Sequence, residues 1–364
     1  MSRRLFLFLA TLAVAGLALP ALRSRADVEI GGSSYRVIDM HLHPGNFGRF
    51  PAGGRAFVVG SLPPFVRPYA PVLGNTVIDP WAEHIGIRAQ TDMAGVERAV
   101  LYAVYAPRST GWFTNRELEA MLLDSRNRNA DGTPWAYGMA SISFEGYLEE
   151  GVAEQRLAAL RSYFTTHPDL FIGIKLAHPH QHVALDDGRY LGVFDVAAEV
   201  GAPVLLHTGF SPFPGTRTEP EYYDPERLGT VVEAYDGEHG AGRVEFVLSH
   251  VGQGDARAVN HALDLAEQYD NVWLEVSALG GPTAIDLMGM PTSGGSPQLP
   301  DVMQQIRSRG LVDRTLFASD GPQFSGKVRS YLNDVAEAAE DAEWTDEELR
   351  GLFAENFERL FFGD

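Results

Sequence analysis

Eight short apolar runs alternate with helix-forming segments along this sequence of 364 residues. Such an alternation is typical of repeated βα units that build a parallel sheet. Eight units in series favour a closed (β/α)₈ TIM barrel over an open sheet, and a hydrophobic content of 45% can fill the core of one such domain. The predicted strands are Val37–His41, Ala99–Val104, Ala136–Ile142, Phe171–Leu176, Pro203–His207, Val244–His250, Val272–Val276 and Thr315–Ser319.

Segments with the apolar spacing of helices lie between these runs. We expect the last stretch, Trp344–Phe362, to pack as a terminal helix pair. Two connections are long, Pro44 to about Trp81 and Gly280–Pro300, and both follow a predicted strand. Long βα loops lie on the C-terminal face, where barrel active sites are built, so both are candidates for a substrate lid; a disordered insertion is the alternative for the second. The predicted helices are Glu117–Ser125, Leu148–Phe164, Val193–Val200, Arg257–Tyr269 and Val302–Arg307.

The N-terminal segment has the pattern of an export signal. Arg3 and Arg4 precede an apolar run, Leu5–Leu19, and small residues flank Arg25 before a predicted cleavage near Ala26. The opening SRRLFLF also resembles a twin-arginine signal, with a general secretory signal as the alternative. We therefore expect a signal peptide over 1–26, one mature domain over 27–364, and a periplasmic or secreted protein with no other membrane segment.

Charge and composition restrict the partners. The formal net charge of −19 disfavours nucleic acid and leaves a small-molecule substrate as the expected partner, while the oligomeric state stays open. The chain has no cysteine, so a tightly held metal must use histidine, a carboxylate or a modified lysine.

Histidines and an aspartate end several of the predicted strands. His41 and His43 alternate at the end of the first, and alternate side chains of a strand point the same way. The strands of PVLLH, EFVLSH and TLFASD end on His207, His250 and Asp320. One polar group at such a place is commonly structural, but several at equivalent places favour a metal site at the barrel mouth.

Lys175 is one of two lysines in the chain and lies in the strand FIGIKL. If Ile172 and Ile174 pack against helices, Phe171 and Lys175 point into the barrel. Since arginine carries most of the positive charge in this chain, an inward lysine suggests chemistry that guanidinium cannot perform.

These motifs together resemble the amidohydrolase superfamily, in the amidohydrolase-related branch that includes aminocarboxymuconate-semialdehyde decarboxylase. The resemblance spans roughly the mature chain and depends on an ordered set of motifs: DMHLHPG, GIKLAHPH, PVLLHTGF, FVLSHVG, LFASDGP and AENFERLF.

The resemblance implies a divalent metal, zinc for preference, held by four side chains at the barrel mouth. Asp320 would also transfer protons, and His250 would bind or activate the water. In binuclear relatives a carbamylated lysine bridges two ions, which would make Lys175 and His250 ligands as well. We favour one metal per chain and an unmodified Lys175. The four implied ligands are His41, His43, His207 and Asp320.

The sequence gives few signals for substrate contacts. His178 is a candidate in the loop after the fourth strand, where a solvated loop is the expectation for His180 and His182. Arg108 and Arg217 follow the second and fifth strands and could bind a carboxylate, although surface positions are the default for arginine. Trp112 and Phe210 could line an apolar wall; packing in the core is the alternative.

Three functions remain open at this point. The first is metal-dependent hydrolysis of an ester, lactone or amide of a small organic substrate. The second is non-oxidative decarboxylation, or hydration, of a carboxylated aromatic or unsaturated acid. The third is a catalytically silent metal-binding or ligand-binding protein, which an open site with His250 and Asp320 beside the water disfavours.

Overall fold

The computed structural model describes residues 28–61, 64–65, 67–70, 75, 79–281, 296–321 and 326–363. The predicted signal over 1–26 and most of the Gly280–Pro300 loop lie outside these residues. Within them, none of the helices is both long and apolar enough to cross a membrane.

The central sheet has eight parallel strands, each hydrogen-bonded to its neighbours in sequence order. The N–H of His43 donates to the carbonyl of Gly321 over 2.7 Å, and Leu42 forms a parallel bridge with the same glycine. This contact joins the first strand to the end of the last, so the sheet closes as a (β/α)₈ barrel and the predicted fold is confirmed. The strands are β1 Ile38–Leu42, β2 Arg98–Tyr102, β3 Ala136–Ala140, β4 Phe171–Leu176, β5 Val204–His207, β6 Phe246–Ser249, β7 Val272–Glu275 and β8 Thr315–Leu316.

Helices surround the barrel, and several match the predicted segments. The predicted terminal helix pair is instead one continuous helical run from Asp346 to Phe362, with a π turn over Gly351–Glu355 in its middle. Three long helices, Ala52–Ser61, His84–Ala94 and Lys327–Asp341, are additional to the segments named in the sequence analysis. Two short α-helices, Asp79–Ala82 and His178–Gln181, lie in loops. The longer α-helices of the described residues are α1 Ala52–Ser61, α2 His84–Ala94, α3 Asn115–Leu123, α4 Val152–Thr166, α5 Leu191–Val200, α6 Gly229–Ala234, α7 Ala256–Gln268, α8 Leu299–Ser308, α9 Lys327–Asp341, α10 Asp346–Arg350 and α11 Asn356–Phe362.

The faces of β4 differ in part from the expectation. Phe171 packs outward against Tyr163 and Phe164 of α4, and Ile172 belongs to the cluster that fills the barrel. The register with β3 shifts by one residue here, and such a bulge reverses the alternation of side chains. Lys175, beyond the bulge, is buried inside the barrel as expected.

A β-hairpin that the sequence did not predict follows β2. Its strands, Val104–Ala106 and Gly111–Phe113, are antiparallel and present Trp112 and Phe113 near the barrel mouth. Gly111 has a φ of 79°, and a Cβ there would lie 2.6 Å from the carbonyl oxygen of Arg49. Glycine therefore lets the hairpin approach the loop that follows β1.

Candidate active site

The carboxyl ends of five barrel strands bring titratable side chains to one edge. Parallel strands place their ends together, so residues distant in sequence become neighbours. These side chains are His41 of β1, His43 directly after β1, Lys175 of β4, His207 of β5, His250 after β6 and Asp320 after β8.

His41, His43 and Asp320 form a compact group whose ligand atoms all lie within 4.8 Å of one another. The two Nε2 atoms are 2.9 Å apart, and they lie 3.4 and 3.2 Å from Asp320 Oδ1. Burial lowers the pKa of His41 well below its usual value, and Lys175 lowers it further. His41 is therefore a neutral imidazole, the form that binds metals.

Asp320 supplies the negative charge of this group. Burial raises its pKa, but the hydrogen bond with His43 and the charges of His250 and Lys175 outweigh burial and lower the pKa to about 2. The carboxylate is thus ionised at neutral pH. Two nitrogens and a carboxylate oxygen around one point are a ligand set that suits a divalent transition metal.

A bulge in β1 directs the two histidines into the site. The register between β1 and β2 shifts between Asp39 and Leu42, so Met40 and His41 both face the barrel interior. Asp39 instead accepts hydrogen bonds from the backbone N–H and the hydroxyl of Ser319, which tie β1 to β8.

Glu275 is a site residue that the sequence analysis missed. It ends β7, is fully buried, and its Oε2 lies 3.1 Å from Nδ1 of His41. Burial raises the pKa of Glu275, an effect that Ser277 and Lys175 partly offset. A carboxylate inside the apolar run VWLEV was the signal that could have identified it.

His250 and His207 lie next to each other, with ring centroids 4.7 Å apart. Nδ1 of His250 is 2.7 Å from Ser277 Oγ, which leaves Nε2 for a water or a substrate. Burial lowers the pKa of His250 to about 4, so it is a neutral base at pH 7. His207 is not in the group of three, but its Nε2 is buried without a hydrogen-bond partner in the described part of the chain.

Lys175 Nζ donates a hydrogen bond to Ser249 Oγ over 3.2 Å and lies 5.4 Å from the centre of the Tyr102 ring. Burial lowers the pKa of this lysine, while the charges of Glu275 and Asp320 raise it. The side chain lines the cavity above the strand ends, where it can meet a bound molecule.

The backbone at two of these strand ends is left-handed. His250 has a φ of 66° and Asp320 a φ of 52°, in a region that non-glycine residues seldom occupy. Such a conformation costs about 1–3 kcal/mol and persists where the surroundings hold it.

The histidines of the loop after β4 differ from the expectation. His180 lines the cavity and its Nδ1 lies 2.7 Å from Ser109 Oγ, so it is not solvated. His178 is fully buried against Tyr190, with ring centroids 4.6 Å apart, and does not line the cavity. His182 contacts the carbonyl of Gly215 over 2.7 Å.

Neither candidate arginine lines the cavity over the strand ends. Arg108 lines a separate polar pocket beside Glu145 and Arg189. Arg217 is partly exposed, with its guanidinium 3.5 Å from Glu219 and stacked on Tyr222. Their predicted contact with a substrate carboxylate is not supported by these positions.

The cavity over the strand ends has a volume of about 200 Å³. Its floor is formed by the titratable side chains, and its walls are largely apolar. Trp112 is one wall residue, as the sequence suggested, but Phe213 takes the place expected for Phe210, which packs on Tyr223. The aromatic wall residues are Phe47, Phe50, Trp112, Phe113 and Phe213.

Solved structures with this architecture include enzymes of several kinds. An uncharacterised TIM-barrel protein from Bordetella bronchiseptica is 18% identical, with a TM-score of 0.57 and coverage of 89% of this chain and 98% of that one. A dihydroxybenzoic acid decarboxylase from a Polaromonas species, with bound manganese and 2-nitroresorcinol, is 14% identical, with a TM-score of 0.55 over 90% and 97%. A probable 2-pyrone-4,6-dicarboxylic acid hydrolase from Acinetobacter baumannii, with bound citric acid, is 14% identical, with a TM-score of 0.53 over 90% and 99%.

At these identities the likeness establishes the fold alone. No curated protein matches the chain. The family model described as amidohydrolase matches residues 38–363, from the start of β1 to the end of the terminal helical run. The match includes every strand of the barrel and every side chain of the candidate site, and the chain belongs to the amidohydrolase family.

Proposed function

We propose that this protein is a metal-dependent hydrolase with one divalent ion bound by His41, His43, His207 and Asp320. The mutual approach of two imidazole nitrogens and a carboxylate oxygen supports His41, His43 and Asp320 as ligands. Nε2 of His207 is buried and has no hydrogen-bond partner among the residues that the structure describes, which supports His207 as the remaining ligand. Zn²⁺ suits these nitrogen and oxygen donors, and the manganese in the Polaromonas decarboxylase makes Mn²⁺ the alternative.

A divalent ion bound here would supply Lewis acidity, which polarises a substrate oxygen and lowers the pKa of water. The ionised Asp320 is placed to accept a proton from the attacking water and to return it to the leaving group. His250 orients that water through Nε2, because its Nδ1 is engaged by Ser277. Lys175 can donate a hydrogen bond to negative charge on the substrate.

Burial of these groups under apolar walls supports the proposal. Lys175, His207 and His250 are buried at the floor, and electrostatic interactions among buried groups are stronger than in bulk solvent. The single observation that carries the proposal is geometric: Asp320 Oδ1 lies 3.2 Å from Nε2 of His43, and His250 lines the same cavity.

Decarboxylation of a carboxylated aromatic acid is the second candidate. Lys175 supports it, because an ammonium in the cavity can pair with a substrate carboxylate. The Polaromonas decarboxylase has the same fold.

One experiment distinguishes the two reactions. The purified protein is assayed for metal content and then incubated with aryl esters, aryl lactones and benzoic acids. We expect one ion per chain and release of acid from esters or lactones without carbon dioxide. Release of carbon dioxide from the benzoic acids alone would replace the hydrolase proposal with the decarboxylase.

We also propose export, from the arginine pair and apolar run at the N-terminus. Cell fractionation should recover the chain outside the cytoplasm, beginning near Asp27. A full-length chain with Met1, recovered from the cytoplasm, would contradict this.

A further inference from the structure

The cavity over the strand ends combines a charged floor with aromatic walls. Phe47 and Phe50 come from the loop after β1, Trp112 from the hairpin after β2, and Phe213 from the loop after β5. Aromatic rings recognise other aromatic rings through edge and offset contacts. The volume of about 200 Å³ is somewhat larger than a protein cavity of about 150 Å³ that binds benzene, so one substituted ring fits.

Positive charge in this cavity is confined to the floor. Lys175 is the one lysine or arginine among the described residues that line it. The loop after β1 carries three arginines, and none of them lines the cavity. Arg49 pairs with Glu117 at 2.5 Å, Arg55 donates to the carbonyl of Phe50 over 2.8 Å, and Arg67 is exposed. Lys175 can thus satisfy one anionic group at the floor, and a second anionic group at the largely apolar wall would meet no further lysine or arginine among the described lining residues.

The internal segments that lie outside the described residues cannot add a positively charged side chain to the cavity. Residues 62–63, 66, 71–74, 76–78, 282–295 and 322–325 contain no lysine, arginine or histidine in their sequence, and their one charged residue is Asp286. The net charge of −19 further disfavours the approach of dianions.

We propose that the site takes a single-ring aromatic substrate with one reacting carbonyl or carboxyl group and no second anionic group. This inference rests on the proposed function for the identity of the reacting group, and it deepens that proposal by naming the substrate class. An unpaired carboxylate against apolar walls loses its hydration without a partner, so the site discriminates against aromatic dicarboxylates. The Acinetobacter protein is a probable hydrolase of a dicarboxylic acid, so the two proteins would differ in substrate class.

The test compares two ligands that differ by one carboxylate. Binding of 3-methylbenzoate and of isophthalate to the metal-loaded protein is measured by calorimetry, without turnover. We expect 3-methylbenzoate to bind at least about tenfold more tightly, which corresponds to about 1.4 kcal/mol. Equal or tighter binding of isophthalate, or no binding of 3-methylbenzoate, would overturn the proposal.

A charge placed in the wall provides a second test. Phe213→Arg adds a guanidinium to the cavity and should improve isophthalate binding relative to 3-methylbenzoate by about tenfold or more. Phe210→Arg, on the same loop but outside the cavity lining, is the matched control and should leave the ratio unchanged. A shift of equal size in both variants would contradict the role given to the wall.

The substrate class and the hydrolase activity would be contradicted by different experimental results. A protein that binds 3-methylbenzoate selectively but hydrolyses no aryl ester or lactone keeps the substrate class and loses the hydrolase proposal. A protein that hydrolyses aliphatic lactones and binds neither ring compound keeps the hydrolase proposal and loses the substrate class.

Discussion

Glu275 contacts one ring nitrogen of His41 while the other ring nitrogen of His41 faces His43 and Asp320. The Nδ1–Oε2 distance is 3.1 Å, and both side chains are fully buried. A carboxylate in this position fixes the tautomer of the imidazole and directs Nε2 towards the metal position.

Glu275→Gln should therefore weaken metal binding by about 10-fold to 100-fold, because a loss of this kind of contact typically has that effect. Metal affinity is measured by titration of the apoprotein against a competing chelator. Glu267→Gln, at a surface ion pair with Arg309, is the control. Unchanged metal affinity in a folded Glu275→Gln protein would remove Glu275 from the proposed centre.

The four proposed ligands should each be needed for metal retention. We expect His43→Ala and His207→Ala proteins to lose most of their metal during dialysis, as measured by elemental analysis. His239→Ala is the control, because this exposed histidine contacts Asp236 on the surface. If His207→Ala keeps a full complement of metal, the ion is held by the group of three without it.

His250→Asn should lower turnover by about 100-fold or more while metal content stays near that of the unaltered protein. The reason is that a positioned base contributes a factor of this order to the rate. Elemental analysis and steady-state kinetics on the same sample check this. If metal content falls in parallel with turnover, His250 is a ligand, and a site with two ions is favoured.

Lys175→Ala should retain one metal ion per chain and lose most of the activity, because in the proposed one-metal site Lys175 is unmodified and contacts the substrate in the cavity. Mass spectrometry of the native protein and carbon-13 labelling check for a carbamate. Two ions per chain, an added carbamate and rescue of the alanine variant by short carboxylic acids would together identify a binuclear hydrolase.

Burial of His178 should make the stability of the folded protein depend on pH. Burial lowers the pKa of this histidine to about 3, and both ring nitrogens lack a hydrogen-bond partner in the described residues. The unfolded chain binds a proton below about pH 6.5 and the folded chain does not, so stability falls as the pH decreases through this range. The loss from this residue at pH 5 is about 2 kcal/mol.

Denaturant unfolding of the metal-free protein between pH 7 and 5 measures this effect. The His178→Leu protein should show a shallower decrease than the unaltered chain, by about 1.4 kcal/mol per pH unit below 6.5. Identical slopes would show that His178 takes up its proton in the folded state.

The sequence predicted the strands of the barrel well, because each is a short apolar run bounded by polar turns. It predicted the faces of β4 less well, since the bulge that turns Phe171 outward depends on pairing with β3. From the sequence, His178 was the candidate for substrate contact and His180 was expected to be solvated, but His180 lines the cavity and His178 does not. The short helix His178–Gln181, which determines which ring faces the cavity, was not predicted. Glu275 was not recognised because it lies in an apolar run and because its partner, His41, is 234 residues away in sequence.

The left-handed backbone at His250 and Asp320 has a consequence for the stability of this chain. Glycine occupies such conformations without steric cost, so His250→Gly or Asp320→Gly should relieve local strain. The two side chains are thus held at a cost in backbone energy, which the contacts of His250 with Ser277 and of Asp320 with His43 must offset. If the proposed function is correct, these two strand ends are where the chain accepts local strain to place reactive groups.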